Sequence, residues 1–289
     1  MTESERLAMK RDLPTGPRVA ATLLALLLAP PALAQTREAG ERPLWELGVA
    51  GFGVSQQAWP GASENVRRGL ILPFLIYRGE YLRADRDTLG LRAINRPSYE
   101  LDVGFAGAFG SRADDTDARR GMSELGTLVE FGPRLKWHLG EVAGIGRLRA
   151  DLPLRGVFDL SDGFRHKGIS FEPRLVWEQR GSGGWNYGAS AGALFGSRKL
   201  ADTFYGVAPS EALPDRPAFA AEGGLIALRF GANASREVTP DLRLFLFARL
   251  DSVAGAANRS SPLVQRTNGV SAGVGLTYTF ARSSQRASD

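Results

Sequence analysis

Between Glu124 and Leu139 the chain alternates residue by residue. Glu124, Glu130, Arg134, Lys136 and His138 fall on one face, and Leu125, Val129, Phe131, Leu135 and Trp137 on the other. A period of two is the signature of a β-strand with one polar and one apolar side. The pattern returns where Arg147, Arg149, Asp151 and Arg155 oppose Leu148, Ala150, Leu152 and Leu154. It returns again where Glu172, Arg174 and Glu178 oppose Phe171, Leu175 and Trp177. Many such runs exceed the length of about 5–6 residues usual in soluble sheets and match the roughly 9–11 residues that a tilted strand needs to cross a bilayer. In lipid every backbone polar group must be paired, so such a sheet has to close. The expected fold is all-β: a transmembrane antiparallel β-barrel with an apolar face toward lipid and a polar, glycine-rich face toward the lumen. Glycine makes up 35 of the 289 residues, which suits close-packed strands and turns. No helical period stands out beyond residue 34.

Strands are expected at 44–54, 69–78, 80–85, 88–94, 98–110, 124–139, 145–158, 168–179, 185–196, 218–232, 242–252 and 268–280. That makes twelve, or ten without the short third and fourth. An even number puts both ends of the barrel on one side. The connections sort by length. Short turns lie at Gly79, Asn95–Pro97, Gly140–Gly144, Arg180–Gly184 and Thr239–Asp241. Long polar loops lie at 55–68, 111–123, 159–167, 197–217 and 253–267, and only the tight turn at Asp85–Asp87 breaks the rule. Short periplasmic turns and long outer loops are the asymmetry of bacterial outer-membrane barrels. Trp45, Trp137, Trp177, Trp185, Tyr278 and Phe280 then gather at the periplasmic end as an aromatic girdle, with Phe109, Phe158 and Phe195 candidates for an outer one.

The first 34 residues read as an export signal. Lys10, Arg11 and Arg18 precede an apolar run from Val19 to Ala29, Pro30 and Pro31 break it, and Ala32-Leu33-Ala34 supplies small residues for cleavage. The remaining organisation is an N-terminal periplasmic segment at 35–43, a barrel at 44–280 and a polar tail at 281–289. The absence of cysteine excludes a disulfide framework and any Cys-based metal or redox site. Two histidines cannot make a His-rich metal centre, and a formal charge of +5 without a basic cluster gives no nucleic-acid signal.

Catalytic constellations are weak. His138 and His166 fall at opposite ends of the barrel. Asp159, Asp162 and His166 lie in one outer loop at unconstrained spacing, which favours solvated surface over an active site. Asp114, Asp115 and Asp117 lack the glycine and distal glutamate of a calcium loop. Arg112, Arg119 and Arg120 beside them suggest a solvated loop or contact with lipopolysaccharide phosphates. No catalytic residue, metal ligand or cofactor is assigned. The lumen is richer: Glu130, Arg134, Arg149, Asp151, Glu172 and Arg174 point inward from adjacent strands. Buried charges need partners, so the set is either a salt-bridge network that plugs the barrel or a charged solute path. Gly132 reads as a small lumenal position open to serine.

Several ordered motifs resemble the MipA/OmpV family of outer-membrane proteins. Trp59-Pro60-Gly61-Ala62-Ser63, then Leu72-Pro73-Phe74 and Tyr77-Arg78-Gly79, resemble the family's Tyr-Pro-Gly-Ser loop and Pro…Tyr-x-Gly strand. The segment Arg120 to Phe131, and Phe204-Tyr205-Gly206-Val207 followed by Ala218 to Gly224, resemble two further family stretches. Gly275 to Phe280 resembles the terminal signal read by the barrel assembly machinery, although Ala281–Asp289 follow it. The resemblance implies a non-enzymatic scaffold or envelope-biogenesis protein of the cell outer membrane. Its implied partners are membrane lipids and lipopolysaccharide, the assembly machinery, and murein-modifying enzymes such as a lytic transglycosylase. A narrow channel for small solutes and a surface adhesin acting through loops 197–217 and 111–123 are the alternatives.

Overall fold

Alternating sequence becomes a closed antiparallel sheet. The computed structural model describes residues 43–78, 82–84, 89–96, 98–108 and 116–287. Its strand segments are β1 (Trp45–Gln57), β2 (Asn65–Arg78), β3 (Leu82–Ala84), β4 (Leu89–Asn95), β5 (Tyr99–Ala108), β6 (Leu128–Val142), β7 (Gly146–Asp159), β8 (Arg165–Phe171), β9 (Arg174–Arg180), β10 (Trp185–Gly196), β11 (Gly224–Glu237), β12 (Leu242–Ser252) and β13 (Asn268–Arg282). Consecutive segments pair in chain order except β8 and β9, which each pair with β7 and β10, and β13 pairs with β1 to close the ring. Among the described residues no helix is long and apolar enough to cross a membrane; the crossing is made by strands.

Among the described residues the thirteen segments amount to about twelve strands around the ring, because β8 and β9 are two halves of one strand. Both lie between β7 and β10. The break falls at Glu172-Pro173, where proline has no N–H to give the ladder. The neighbours adjust: Glu172 N donates to Pro153 O (3.2 Å) and Ala193 N to Pro173 O (3.1 Å). Other bounds also move. The strand expected from Glu124 starts at Leu128, and the one expected from 218 starts at Gly224, because the residues before each fold into the loops. β13 runs two residues past Phe280, and beyond it Leu44 N donates to Gln285 O while Pro43 bridges Arg286. The export signal, the turns at Gly79 and Asp85–Asp87, Pro97, Phe109, Arg112, Asp114 and Asp115 lie outside the described residues.

The outward face is apolar. Ile71, Leu75, Leu154, Leu175, Val274 and Leu276 stand exposed, Ile71 by 79%. A continuous exposed apolar belt on a closed sheet is a surface for lipid. The inward face is not polar throughout, as the expectation of a polar, glycine-rich lumen would have it. β2 turns Leu72 and Ile76 inward, both buried. β12 places Phe245 and Phe247 on the same face as Asp251, their rings lying over Gly275 and Gly273, where a Cβ would meet ring carbons at 2.0 and 2.4 Å.

Leu135 and Leu152 face each other across β6 and β7 on the lipid side. Leu152→Arg should therefore reduce folding into bilayers by about 2–4 kcal/mol near the midplane, read as lost heat-modifiable migration or a lower urea midpoint in vesicles. Wild-type assembly of this variant would show that the face does not meet lipid. Gly132 is not the tolerant position expected: a Cβ there would lie 2.2 Å from Leu154 O and 2.9 Å from Arg155 Cα, so even serine forces two backbones apart.

Candidate functional site

Three aspartates organise the charged side of the lumen. Asp102 on β5, Asp151 on β7 and Asp251 on β12 are almost fully buried, and each is clasped by two cations. Asp102 accepts from Arg134 Nε (2.9 Å) and Nη2 (2.6 Å), with Lys136 Nζ at 2.9 Å; Lys136 also reaches Glu100 at 3.1 Å. Asp151 accepts from Arg149 Nε at 2.9 Å and from Arg174 Nε and Nη2 at 3.2 and 3.0 Å, and Arg149 bonds Glu178 as well. Asp251 accepts from Arg229 Nε at 3.1 Å and Arg249 Nε at 3.0 Å. Arg229 then reaches Glu172 at 3.1 Å. Glu130 accepts from Ser170 Oγ at 3.0 Å and lies 3.5 Å from Arg155. Fork-shaped guanidinium contacts of this kind are the strong, geometrically specific ion pairs.

Strand geometry explains the partners. Residues two apart share a face, which brings Arg149 to Asp151 and Arg249 to Asp251 along one strand. Arg134 stands directly opposite Asp102 in register, and Arg174 opposite Asp151. All six lumenal residues expected from sequence face inward, but not as one mutual cluster. Arg149, Asp151 and Arg174 do meet. Arg134 pairs with Asp102 instead, Glu130 with Arg155 and Ser170, and Glu172 with Arg229. Lys136 falls on the polar face read from sequence, but Glu100, Asp102, Arg229, Arg249 and Asp251 were missed. The same spacing of two, in Glu100-Leu101-Asp102 and Arg249-Leu250-Asp251, carried the signal.

Above this lattice the loops fold into the mouth. The long connections expected to be polar instead build an apolar cap from Trp59, Met122, Leu125, Leu200, Tyr205 and Leu263, resting on Val66, Leu128, Val157, Leu194 and Ile226 of the barrel wall. Loop 197–217 contains a helix that alternation did not reveal, α1 (Arg198–Tyr205), with Ser197 Oγ accepting from Leu200 N. Its apolar positions 200, 201, 204 and 205 recur at helical spacing and were the available signal. Polar groups pin the cap. Trp59 Nε1 donates to Leu263 O (2.9 Å), Tyr205 Oη to Pro60 O (3.0 Å) and Ser261 Oγ to Tyr205 O (2.8 Å). Burial pushes the Tyr205 phenol above its ordinary range, which keeps it a donor.

Arg119 is buried rather than solvated. Its guanidinium lies 5.7 Å over the Trp59 ring and donates to the carbonyls of Thr203, Phe204 and Ser123 at 3.4–3.5 Å. Two of those carbonyls end α1, where a cation is favoured. Burial holds its pKa down, to about 10, against the upward pull of Glu211, with the charge of Arg216 adding to the lowering; it remains a cation at neutral pH. Arg216 donates to Ala118 O and Arg120 O at 2.9 Å and to Glu211 O at 2.7 Å.

The aromatic residues expected in the girdle sit at the short-turn end. Trp137, Tyr278 and Phe280 are exposed, and Trp45, Trp177 and Trp185 half-buried. Trp177 Nε1 donates to Ile145 O at 2.7 Å, and Trp185 stacks on Tyr187. His138 stands opposite Arg149 and His166 opposite Phe158. Nine positions along β7 separate those partners, about 30 Å. The Asp159 carboxylate is held by Lys167 and the Ser161 N–H, while His166 packs on the Phe158 ring, so this trio does not converge.

Comparison with solved structures finds barrels at low similarity. An outer membrane channel from Pseudomonas putida is 10% identical, with 86% of this chain and 100% of that one covered and a TM-score of 0.38. Outer membrane phospholipase A from Escherichia coli is 10% identical over 82% and 93%, TM-score 0.33. The outer membrane protease OmpT from Escherichia coli is 10% identical over 86% and 99%, TM-score 0.32. No curated protein sequence matches significantly. The family model described as MltA-interacting protein MipA matches residues 47–280, from the third residue of β1 to Phe280 in β13, so it takes in all but the first and last two residues of the closed sheet together with the capped mouth. This outer-membrane β-barrel protein belongs to the MipA family.

Proposed function

We propose that the chain is a non-enzymatic scaffold of the cell envelope, a plugged barrel that holds murein-modifying enzymes, a lytic transglycosylase among them, at the periplasmic face of the outer membrane. The partner class follows the family's name. The observation that carries a structural over a conducting role is the double obstruction of the lumen: an apolar cap in one mouth and aspartate-centred ion pairs along the charged wall. A solute path needs hydrated, loosely held charges, whereas these carboxylates are desolvated and doubly paired. The adhesin reading loses support for the same reason, because residues 116–123 and 197–207 are largely committed to the cap.

Two measurements test the proposal. The purified barrel in a planar bilayer should carry no sustained single-channel current. Cross-linking in whole envelopes followed by affinity capture should recover a lytic transglycosylase, and purified enzyme should bind the reconstituted barrel from its periplasmic side. Steady conductance together with failure to bind any murein enzyme would reject the scaffold and favour a channel.

A further inference from the structure

A different surface carries a second assignment, independent of the scaffold reading. At the loop end, on the lipid-facing side of β6, β7 and β8, three phenylalanines stack. Phe131 and Phe158 have ring centroids 4.9 Å apart, and Phe158 and Phe164 also 4.9 Å, with interplanar angles of 14° and 20°. The His166 ring lies 5.2 Å from Phe158. The Phe158 ring covers Gly156, where a Cβ would come within 2.9 Å of it. One strand further on, Phe171 and Phe195 stack at 6.4 Å.

The placement of Phe164 needs explaining. It closes the β7–β8 hairpin in a tight turn, with Arg165 N donating to Asp162 O at 3.1 Å. Gly163 has φ 59° and Phe164 φ 63°, and Phe164 is the one non-glycine residue with positive φ among the described residues. Glycine or asparagine fills that position without strain. A bulky ring held there, half exposed and stacked on the outside of a membrane barrel, points to a surface the turn is built to present.

Cations crown the same patch. Arg165 is exposed beside the stack, and its partner Asp162 is shared with Lys167. Ser197 pairs with Ile169 of β8, which sets the exposed Arg198 and Lys199 beside the middle of the strand that carries His166 and Phe171, near Gly168. Both lie in the first turn of α1, where the helix dipole disfavours positive charge. Arg165, Arg198 and Lys199 are exposed here with Asp162 and, one helical turn on, Asp202 as the carboxylates beside them, while Lys167 also reaches the buried Asp159.

We infer that the Phe131–Phe158–Phe164 stack, with Arg165 at its turn and Arg198 and Lys199 beside it, is a binding site for a phosphorylated glycolipid of the outer leaflet. The rings receive the sugar faces and the upper acyl chains, and the cations receive the phosphates. The continuity of the patch with the lipid-facing belt selects a membrane lipid over a soluble anion.

The test uses the full barrel in detergent micelles, titrated with purified lipopolysaccharide and followed by native mass spectrometry. The paired change Arg198→Gln and Lys199→Gln should weaken occupancy about tenfold, as expected for the loss of two cation–phosphate contacts. Phe164→Asn, which suits the turn, should weaken it while leaving heat-modifiable migration intact. Enzymatically dephosphorylated lipopolysaccharide should bind the wild type as poorly as the intact glycolipid binds the double variant. Arg266→Gln, in the loop between β12 and β13, should change nothing. Equal occupancy in the double variant, equal binding of the dephosphorylated form, or an equal loss in Arg266→Gln would overturn the site. Displacement by inorganic phosphate or by phosphatidylglycerol at concentrations equal to the glycolipid would overturn its assignment to a glycolipid.

Discussion

Asp151→Ala should cost the barrel about 3–5 kcal/mol, the range for removing one partner from a buried ionic cluster, and more than Arg149→Ala. The asymmetry follows from the geometry. Asp151 has 0% exposure and accepts from both Arg149 and Arg174. Deleting the carboxylate leaves two guanidinium groups facing each other with their shared counter-charge gone. Deleting Arg149 leaves Asp151 still paired with Arg174, and Glu178 with a position nearer the barrel end. Urea titration of the folded barrel in vesicles measures both, and Asp151→Asn serves as the shape-preserving control because the amide can still accept from one arginine. If the three variants differ from wild type by under about 1 kcal/mol, the lumen is wet, its charges are screened, and the ion pairs are not a structural plug.

How far the sequence could be read depends on which physical constraint acts at each position. Alternation is local, so it located most of the strands, the lipid-facing Leu135 and Leu152, and the inward set that includes Arg134 and Asp151. Partner choice is not local. Arg134 and Asp102 are 32 residues apart and meet only because β5 and β6 pair in one register. Arg229 meets Glu172 across 57 residues. Register depends on bulges, such as those after His138 and Val157, which leave no periodic trace. The sequence reads 168–179 as one strand, and the sheet keeps it one pass, but the break at Pro173 that divides it was not expected. The cap was least legible, since Trp59, Tyr205 and Leu263 come from three loops whose polar residues mask their few apolar ones. Trp59 was the one tryptophan outside the expected girdle, and that misfit was the sequence's trace of the cap.

Trp59→Ala should release the cap while leaving the barrel folded, and it is the change that most directly separates a plugged scaffold from a gated pore. Trp59 is 2% exposed, packs among loop residues, donates to Leu263 O and offers its ring to Arg119. Truncating a buried tryptophan costs about 3–5 kcal/mol. Here the loss falls on a local unit, because loops held by side-chain contacts open at lower cost than the hydrogen-bonded sheet. Arg119 would lose the ring beneath its buried charge, and the carbonyls closing α1 would lose their fixed donor with it. The expected result has two parts. Trypsin should cleave the variant at Arg198 or Lys199 under conditions that spare the wild type, while heat-modifiable migration persists. Planar bilayers should then show intermittent current, limited by the lumenal ion pairs that remain. Trp59→Phe keeps a ring and loses only the indole bond, worth about 1 kcal/mol, so it should stay largely protected. A Trp59→Ala barrel that resists trypsin as well as wild type would mean that the cap does not depend on this side chain. A variant that opens fully to trypsin yet passes no current would place the seal lower, in the aspartate-centred lattice alone.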